Sequence, residues 1–129
     1  MTPPEIAGIS PFFIVRNVAR ALSFYRDRLG FEVVFTNEGD DLFFGIVRRG
    51  GAMLMFKDVG VDPLSNSTRE PGARWDAYLS VADPDALAVE LASREVEFSR
   101  PLEDTGDGLR GFELKDPDGY VLFFGRPRT

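Results

Sequence analysis

Residues 9–16 are apolar at nearly every position, which predicts a β-strand with two apolar faces, because successive side chains of a strand point to opposite sides. Asn17 is a preferred N-cap residue, and apolar side chains then recur at helical spacing until Gly30, a residue type that commonly ends a helix. The next three strands are predicted at residues 31–36, 42–48 and 52–56. The first part of the chain therefore predicts the order β-α-β-β-β.

The second part of the chain predicts the same order of elements. Residues 76–81 predict a strand that corresponds to the first one, and Asp83 is positioned to cap a helix whose first residue is Pro84. The strands that follow are predicted at residues 97–102, 111–115 and 121–125, the first of them short, polar and at a sheet edge. The chain therefore contains two β-α-β-β-β modules.

The two modules also resemble each other residue by residue. When Gly51 is aligned with Gly119, residues 54–56 fall on residues 122–124, 68 positions later. Residues 13–17 fall in the same way on residues 79–83, 66 positions later. A repeat of this length indicates one supersecondary unit present twice, so we expect the functional site where the two copies face each other.

We predict a single domain over residues 1–129, with modules at about residues 8–57 and 75–127. The polar segment 57–74 joins them and contains two Pro and two Gly. A loop of this length inside a compact domain is often a lid or a binding loop. A plain connector is the other interpretation, and the sequence leaves both open.

The composition excludes several classes of function. The 129 residues carry a net charge of −6, which excludes a nucleic-acid surface and favours either a cationic ligand or simple solubility. The chain has no Cys and no His, so it lacks disulfides, thiol nucleophiles and the commonest metal ligand. We find no apolar run long enough to span a membrane and no secretory signal, and we expect a cytoplasmic protein.

Four segments together resemble the vicinal-oxygen-chelate superfamily, which includes glyoxalase I, extradiol dioxygenases and bleomycin-resistance proteins. They are FFIVRNVARALSFYRDRLGFEV, RRGGAMLMF, YLSVADPDAL and GFELKDPDGYVLFFGRP. The sequences of these segments are most similar to the bleomycin-resistance-like branch. The resemblance implies an α+β fold of two βαβββ modules, whose curved mixed sheets surround a cup. It also implies a homodimer in which modules of different chains complete one cup.

The resemblance further places the superfamily's metal-ligand positions on Ser10, Met55, Asp76 and Phe123. Metal-dependent members use His or Glu there, whereas this chain offers a hydroxyl, a thioether, one carboxylate and a phenyl ring. This set does not match the donors of a catalytic zinc or non-haem iron site. We therefore predict no metal, no cofactor and no catalytic residue.

We expect a cup lined by apolar and aromatic side chains with few polar groups, the usual form of a small-molecule site. The predicted ligand-binding residues are Ser10, Phe12, Phe44, Met55, Trp75, Asp76, Tyr78, Glu113 and Phe123. The aromatic residues would stack on a flat ligand, and the two carboxylates would pair with a cation. The alternatives are that the apolar residues fill the cup as core, or that Glu113 faces solvent.

Three functions remain open from the sequence. The first is metal-independent sequestration of a small aromatic or cationic compound, which needs neither a base nor a metal. The second is a metal-independent lyase or isomerase that uses Asp76 or Glu113 as a general base with a raised pKa. The third is a structural dimer with a filled cup.

Overall fold

The computed structural model describes residues 2–128 and contains two helices and eight strands. The elements of the first module are β1 (Phe12–Ile14), α1 (Val18–Asp27), β2 (Glu32–Thr36), β3 (Phe44–Arg49) and β4 (Ala52–Lys57). Those of the second module are β5 (Ala77–Ser80), α2 (Pro84–Ser93), β6 (Arg100–Asp104), β7 (Leu109–Lys115) and β8 (Val121–Pro127). The predicted order of elements is confirmed in both modules.

Each module forms its own four-stranded mixed sheet. The strand orders are β1-β4-β3-β2 and β5-β8-β7-β6, and the two sheets are not joined into one. In each sheet the first strand runs parallel to the last, while the other neighbours are antiparallel. The predicted α+β fold of two βαβββ modules is confirmed.

The ends of several elements follow the local chemistry. Asn17 accepts a hydrogen bond from the Arg20 amide at 2.9 Å, and Asp83 accepts one from the Ala86 amide at 3.0 Å, so both predicted N-caps are confirmed. β1 begins at Phe12 rather than at residue 9, after Pro11, which has no amide to donate to a ladder.

The strands of the second module also differ from their predicted ends. β6 spans Arg100–Asp104 rather than 97–102, because Val96 and Phe98 pack against the core as the chain leaves α2. β7 begins earlier and β8 ends later than the patterns predict. The predicted edge position of β6 is confirmed.

Both helices pack against one face of their own sheet and share a continuous core. Val18, Ala21, Leu22 and Tyr25 form the buried side of α1, and the helical spacing predicts three of these four. On the sheets, alternate residues such as Phe56 and Phe124 point towards the helices. The other face of each sheet is therefore turned away from its helix.

The turn between β7 and β8 holds the two modules together. The Tyr25 hydroxyl donates to Asp116 Oδ2 at 2.8 Å, and the Arg16 amide donates to Asp118 Oδ1 at 3.1 Å. Tyr120 stacks on Phe13 with ring centroids 4.0 Å apart and donates to the Ile14 carbonyl at 2.7 Å. The conspicuous DPDGY segment thus serves as the joint between the modules.

Candidate functional site

We name the N-terminal face as the side of the β1–β4 sheet turned away from α1. Strand register places one row of directly paired residues across it, namely Phe12, Met55, Ile46 and Phe35. Phe12 is 53% exposed and Phe35 is 51% exposed, so this apolar row is open. Phe44 lies beside the row and meets the Phe35 ring edge-on at 5.8 Å.

We name the C-terminal face as the side of the β5–β8 sheet turned away from α2. The equivalent row there is Tyr78, Phe123, Glu113 and Arg100. Unlike the first row, it combines two aromatic rings with two charged groups. The faces therefore share their geometry and differ in their chemistry.

Phe123 lies flat on the C-terminal face above a pair of glycines. A Cβ atom on Gly111 would stand 2.8 Å from the Phe123 Cε1 atom, and one on Gly125 would stand 2.6 Å from it. Trp75 stacks on the outer side of this ring at 4.2 Å, and Tyr78 flanks it at 5.8 Å. Phe123 is consequently only 3% exposed, while Tyr78 remains 39% exposed.

A buried ion pair lies next to this aromatic stack. Glu113 is fully buried, and Arg74 Nε lies 3.1 Å from each of its carboxylate oxygens, while Arg74 Nη2 also contacts Oε1. The Ser99 hydroxyl donates to Oε1 at 2.7 Å. Burial by itself would raise the pKa of Glu113, but the hydrogen bonds from Arg74 and Ser99 outweigh it and hold the pKa below its ordinary value.

Asp76 secures the end of the segment that joins the modules. Its carboxylate accepts the Asn66 amide at 3.0 Å and the Val121 amide at 2.7 Å. The Asn66 side chain in turn donates to the Trp75 carbonyl at 3.0 Å. These contacts hold Arg74 and Trp75 against the C-terminal face, so the end of the segment is a built part of that face.

Two cavities lie near the junction of the modules. The larger, about 1000 Å³, is lined by Ser10, Asp76 and Tyr78 together with apolar residues that include Ala52 and Leu79. The smaller, about 490 Å³, is lined by Phe12 and again by Asp76. Asp76 therefore borders both.

The structure groups the predicted site residues as three sets. Ser10, Asp76 and Tyr78 share the larger cavity, and Phe12, Met55 and Phe44 share the N-terminal face. Trp75, Tyr78, Phe123 and Glu113 share the C-terminal face. Met55 and Phe123 belong to different sheets and are not among the residues that line the larger cavity.

Three features of the C-terminal face are not predicted from the sequence. They are the pairing of Arg74 with Glu113, the hydrogen bond from Ser99, and the glycine pair beneath Phe123. Gly111 and Gly125 face each other across β7 and β8, a pairing that becomes visible only when the strand register is known. The one available signal was the position of Arg74 beside Trp75, at the end of a long loop.

Within residues 2–128, no group of three or more His, Cys, Asp or Glu side chains is arranged to hold a metal ion. None of the helices in that range is long and apolar enough to cross a membrane.

Comparison with known proteins gives a family match over most of the chain. Residues 7–124 match the model of the Glyoxalase/Bleomycin resistance protein/Dioxygenase superfamily. No curated protein matches the chain.

Solved structures support the same fold. The bleomycin-binding protein of Streptomyces verticillus, complexed with copper(II)-bleomycin, is 27% identical with a TM-score of 0.70, over 95% of this chain and 97% of that one. TioX from Micromonospora sp. ML1 is 18% identical with a TM-score of 0.74, over 94% and 98%. TnmS3, an antibiotic-binding protein from Streptomyces sp. CB03234, is 23% identical with a TM-score of 0.68, over 98% of both chains.

Proposed function

Because the chain belongs to the glyoxalase/bleomycin resistance protein/dioxygenase superfamily, we propose that it is a metal-independent binding protein for a small aromatic compound. The ligand would stack against the aromatic rings of the C-terminal face. One observation carries this proposal: Trp75, Phe123 and Tyr78 form a stacked group whose outer members remain accessible. A planar aromatic compound can extend such a stack.

The family background agrees with a binding role. One of the similar structures is described as a bleomycin-binding protein, and another is described as an antibiotic-binding protein. Sequestration of a compound requires a shaped surface and no reacting group. The C-terminal face provides such a surface, because Asp76 and Asn66 hold its Trp75 in place.

The chemistry of the two carboxylates favours binding over general-base catalysis. A general base at neutral pH needs a pKa raised towards the working pH. Arg74 and Ser99 instead hold the pKa of Glu113 below its ordinary value. The oxygens of Asp76 accept backbone amides, which commits this carboxylate to holding the chain.

We further propose that a second copy of the chain covers the N-terminal face and completes the site as a homodimer. Exposed aromatic side chains in one row, such as Phe12 and Phe35, are typical of an interaction surface. Within each copy, the contacts of Tyr25 and Tyr120 across the modules support one cooperative domain. A cytoplasmic location stays a prediction from the sequence.

Titration with planar aromatic compounds tests the binding function. Trp75 is the only Trp in the chain, so quenching of its fluorescence reports directly on this face. We expect saturable quenching in the wild type and about fivefold weaker binding in Tyr78→Ala, since each stacked pair contributes about 1 kcal/mol. Phe43→Ala is the matched control, because Phe43 is similarly exposed but lies before β3. The proposal would be refuted if none of the aromatic compounds quenched the Trp75 fluorescence.

A further inference from the structure

The charged groups of the C-terminal face are paired with one another. Glu113 is 0% exposed at its side chain and Arg74 is 12% exposed, and the guanidinium meets the carboxylate through two nitrogens. A two-point contact of this kind is among the strongest charge-assisted pairs. The only carboxylate in the central row of this face is thus neutralised by the neighbouring loop.

The surrounding charges do not restore a negative site. Arg100, opposite Glu113 in the register, pairs with Glu103 at 3.0 Å. Lys115 shares the same face opposite Val121, and the described residues of that face offer it no ion-pair partner. Asp76, next to Trp75, adds one carboxylate whose oxygens accept the backbone amides of Asn66 and Val121. Lys115 offsets it in number, so the local balance is neutral, although the whole chain carries a net charge of −6.

Local charge decides selectivity at a contact site. Exposed charges more than about 10 Å away are largely screened at ordinary salt, whereas a buried pair beside the ligand is not. The chain's overall acidity affects the approach of a ligand, and the groups next to Trp75 affect its bound state.

We propose that Arg74 is the specificity-determining residue of this site, and that by neutralising Glu113 it selects uncharged or anionic planar aromatic compounds over cationic ones. The inference rests on the proposed binding function. It also reverses the expectation from the sequence that the carboxylates attract a cation. Without Arg74, Glu113 would be an uncompensated carboxylate next to the aromatic stack.

Three anthracene derivatives of the same ring size test the inference. They are 9-anthracenemethanol, 9-anthracenecarboxylate and 9-(aminomethyl)anthracene, which are neutral, anionic and cationic at pH 7. Quenching of Trp75 gives their dissociation constants. In the wild type we expect the neutral and anionic compounds to bind at least about tenfold more tightly than the cationic one, a difference that corresponds to about 1.4 kcal/mol.

Substitutions at the ion pair should then change the order of the probes. In Arg74→Met we expect the cationic compound to bind most tightly, because the Glu113 carboxylate loses its partner. Glu113→Gln, which leaves the Arg74 charge, should favour the anion further. Arg74→Met combined with Glu113→Gln carries no uncompensated charge and should favour the neutral compound, so it keeps the test valid if Arg74→Met alone does not fold.

Arg26→Met is the matched control, because Arg26 pairs with Asp27 on the solvent side of α1. It should leave the ratio of the three constants unchanged. A wild type that prefers the cation, or an Arg74→Met variant that keeps the wild-type ratio, would overturn the inference while leaving aromatic binding intact. Failure of all three compounds to bind would overturn the binding function itself.

Discussion

The two sheet faces come from the same repeat and differ in how they are covered. Met55 and Phe123 occupy equivalent positions, yet only Phe123 lies over a glycine pair and under a stacked Trp. The residues equivalent to Gly111 and Gly125 are Phe44 and Lys57, which also pair with each other. The comparison teaches that a duplicated fold keeps its strand register while its faces acquire different uses.

The largest effect should come from breaking the ion pair that only the C-terminal face has. Arg74→Met leaves a buried carboxylate without its cationic partner, which we expect to lower the free energy of unfolding by roughly 3 kcal/mol. Replacing both residues, Arg74→Met with Glu113→Leu, should recover most of this loss because no buried charge remains. Urea denaturation at pH 7 gives both values, and equal losses in the single and double variants would contradict the prediction.

Substitution in the glycine pair under Phe123 should lower stability by nearly as much. A Cβ on Gly111 would stand 2.2 Å from the Phe124 carbonyl oxygen, so Gly111→Ala must displace backbone as well as the ring. We expect a loss of about 2 kcal/mol, typical of overpacking. Gly106→Ala is the control, because a Cβ atom there would meet nothing within 4 Å. Thermal unfolding monitored by circular dichroism measures both effects. Equal losses of stability in the two variants would contradict this explanation.

The turns that precede the last strand of each module should differ in how their contribution to stability depends on pH. Burial raises the pKa of Asp116 to about 6, whereas its equivalent in the first module, Arg49, is a cation paired with Glu90. Between its ordinary value near 3.8 and about 6, the folded state holds the Asp116 proton more tightly than the unfolded state. The contribution of Asp116 to stability should therefore fall as pH rises from about 4 to 6, by about 2 kcal/mol.

Asp116→Asn should remove this contribution. The difference in unfolding free energy between the variant and the wild type, measured by urea denaturation at closely spaced pH values, isolates it from other carboxylates. A difference that stays constant from pH 4 to pH 7 would show that Asp116 titrates normally.

The smallest effect on stability should come from the open N-terminal face. Phe35→Ser removes a half-exposed side chain, so we expect a change within about 0.5 kcal/mol in the unfolding of the monomer. The same substitution should weaken self-association, because Phe35 belongs to the surface proposed for the second copy. Sedimentation velocity over a range of concentrations measures this, and an unchanged distribution would refute that interface.

The sequence predicts the fold well because its signals are local. Asn17 and Asp83 indicate where the helices begin, and the two-residue turn Gly50-Gly51 indicates the hairpin between β3 and β4. These features depend on backbone chemistry within a few residues. The same local character explains why the repeat is visible without a structure.

The candidate site is harder to predict because its contacts are distant in sequence. Arg74 meets Glu113 across 39 residues, and the placement of Trp75 on Phe123 depends on the Asp76 carboxylate and the Asn66 amide. Alternation correctly places Phe123 and Tyr78 on one face, but it does not reveal which charged side chain a loop delivers to that face. Net charge therefore suggests a cationic ligand, whereas the pairing of Arg74 with Glu113 is the basis of our proposal of an uncharged or anionic one.

The junction of the modules suggests a route to a more robust protein. Tyr120 seals one side by stacking on Phe13, whereas the repeat equivalents on the other side are Ala52 and Leu79, which border the larger cavity. The described structure thus has an aromatic contact on one side of the junction and a cavity at the equivalent positions on the other. The double substitution Ala52→Tyr and Leu79→Phe would place the same aromatic pair at the equivalent positions beside the cavity. We expect it to raise the melting temperature, which would make the protein a more stable starting point for engineering.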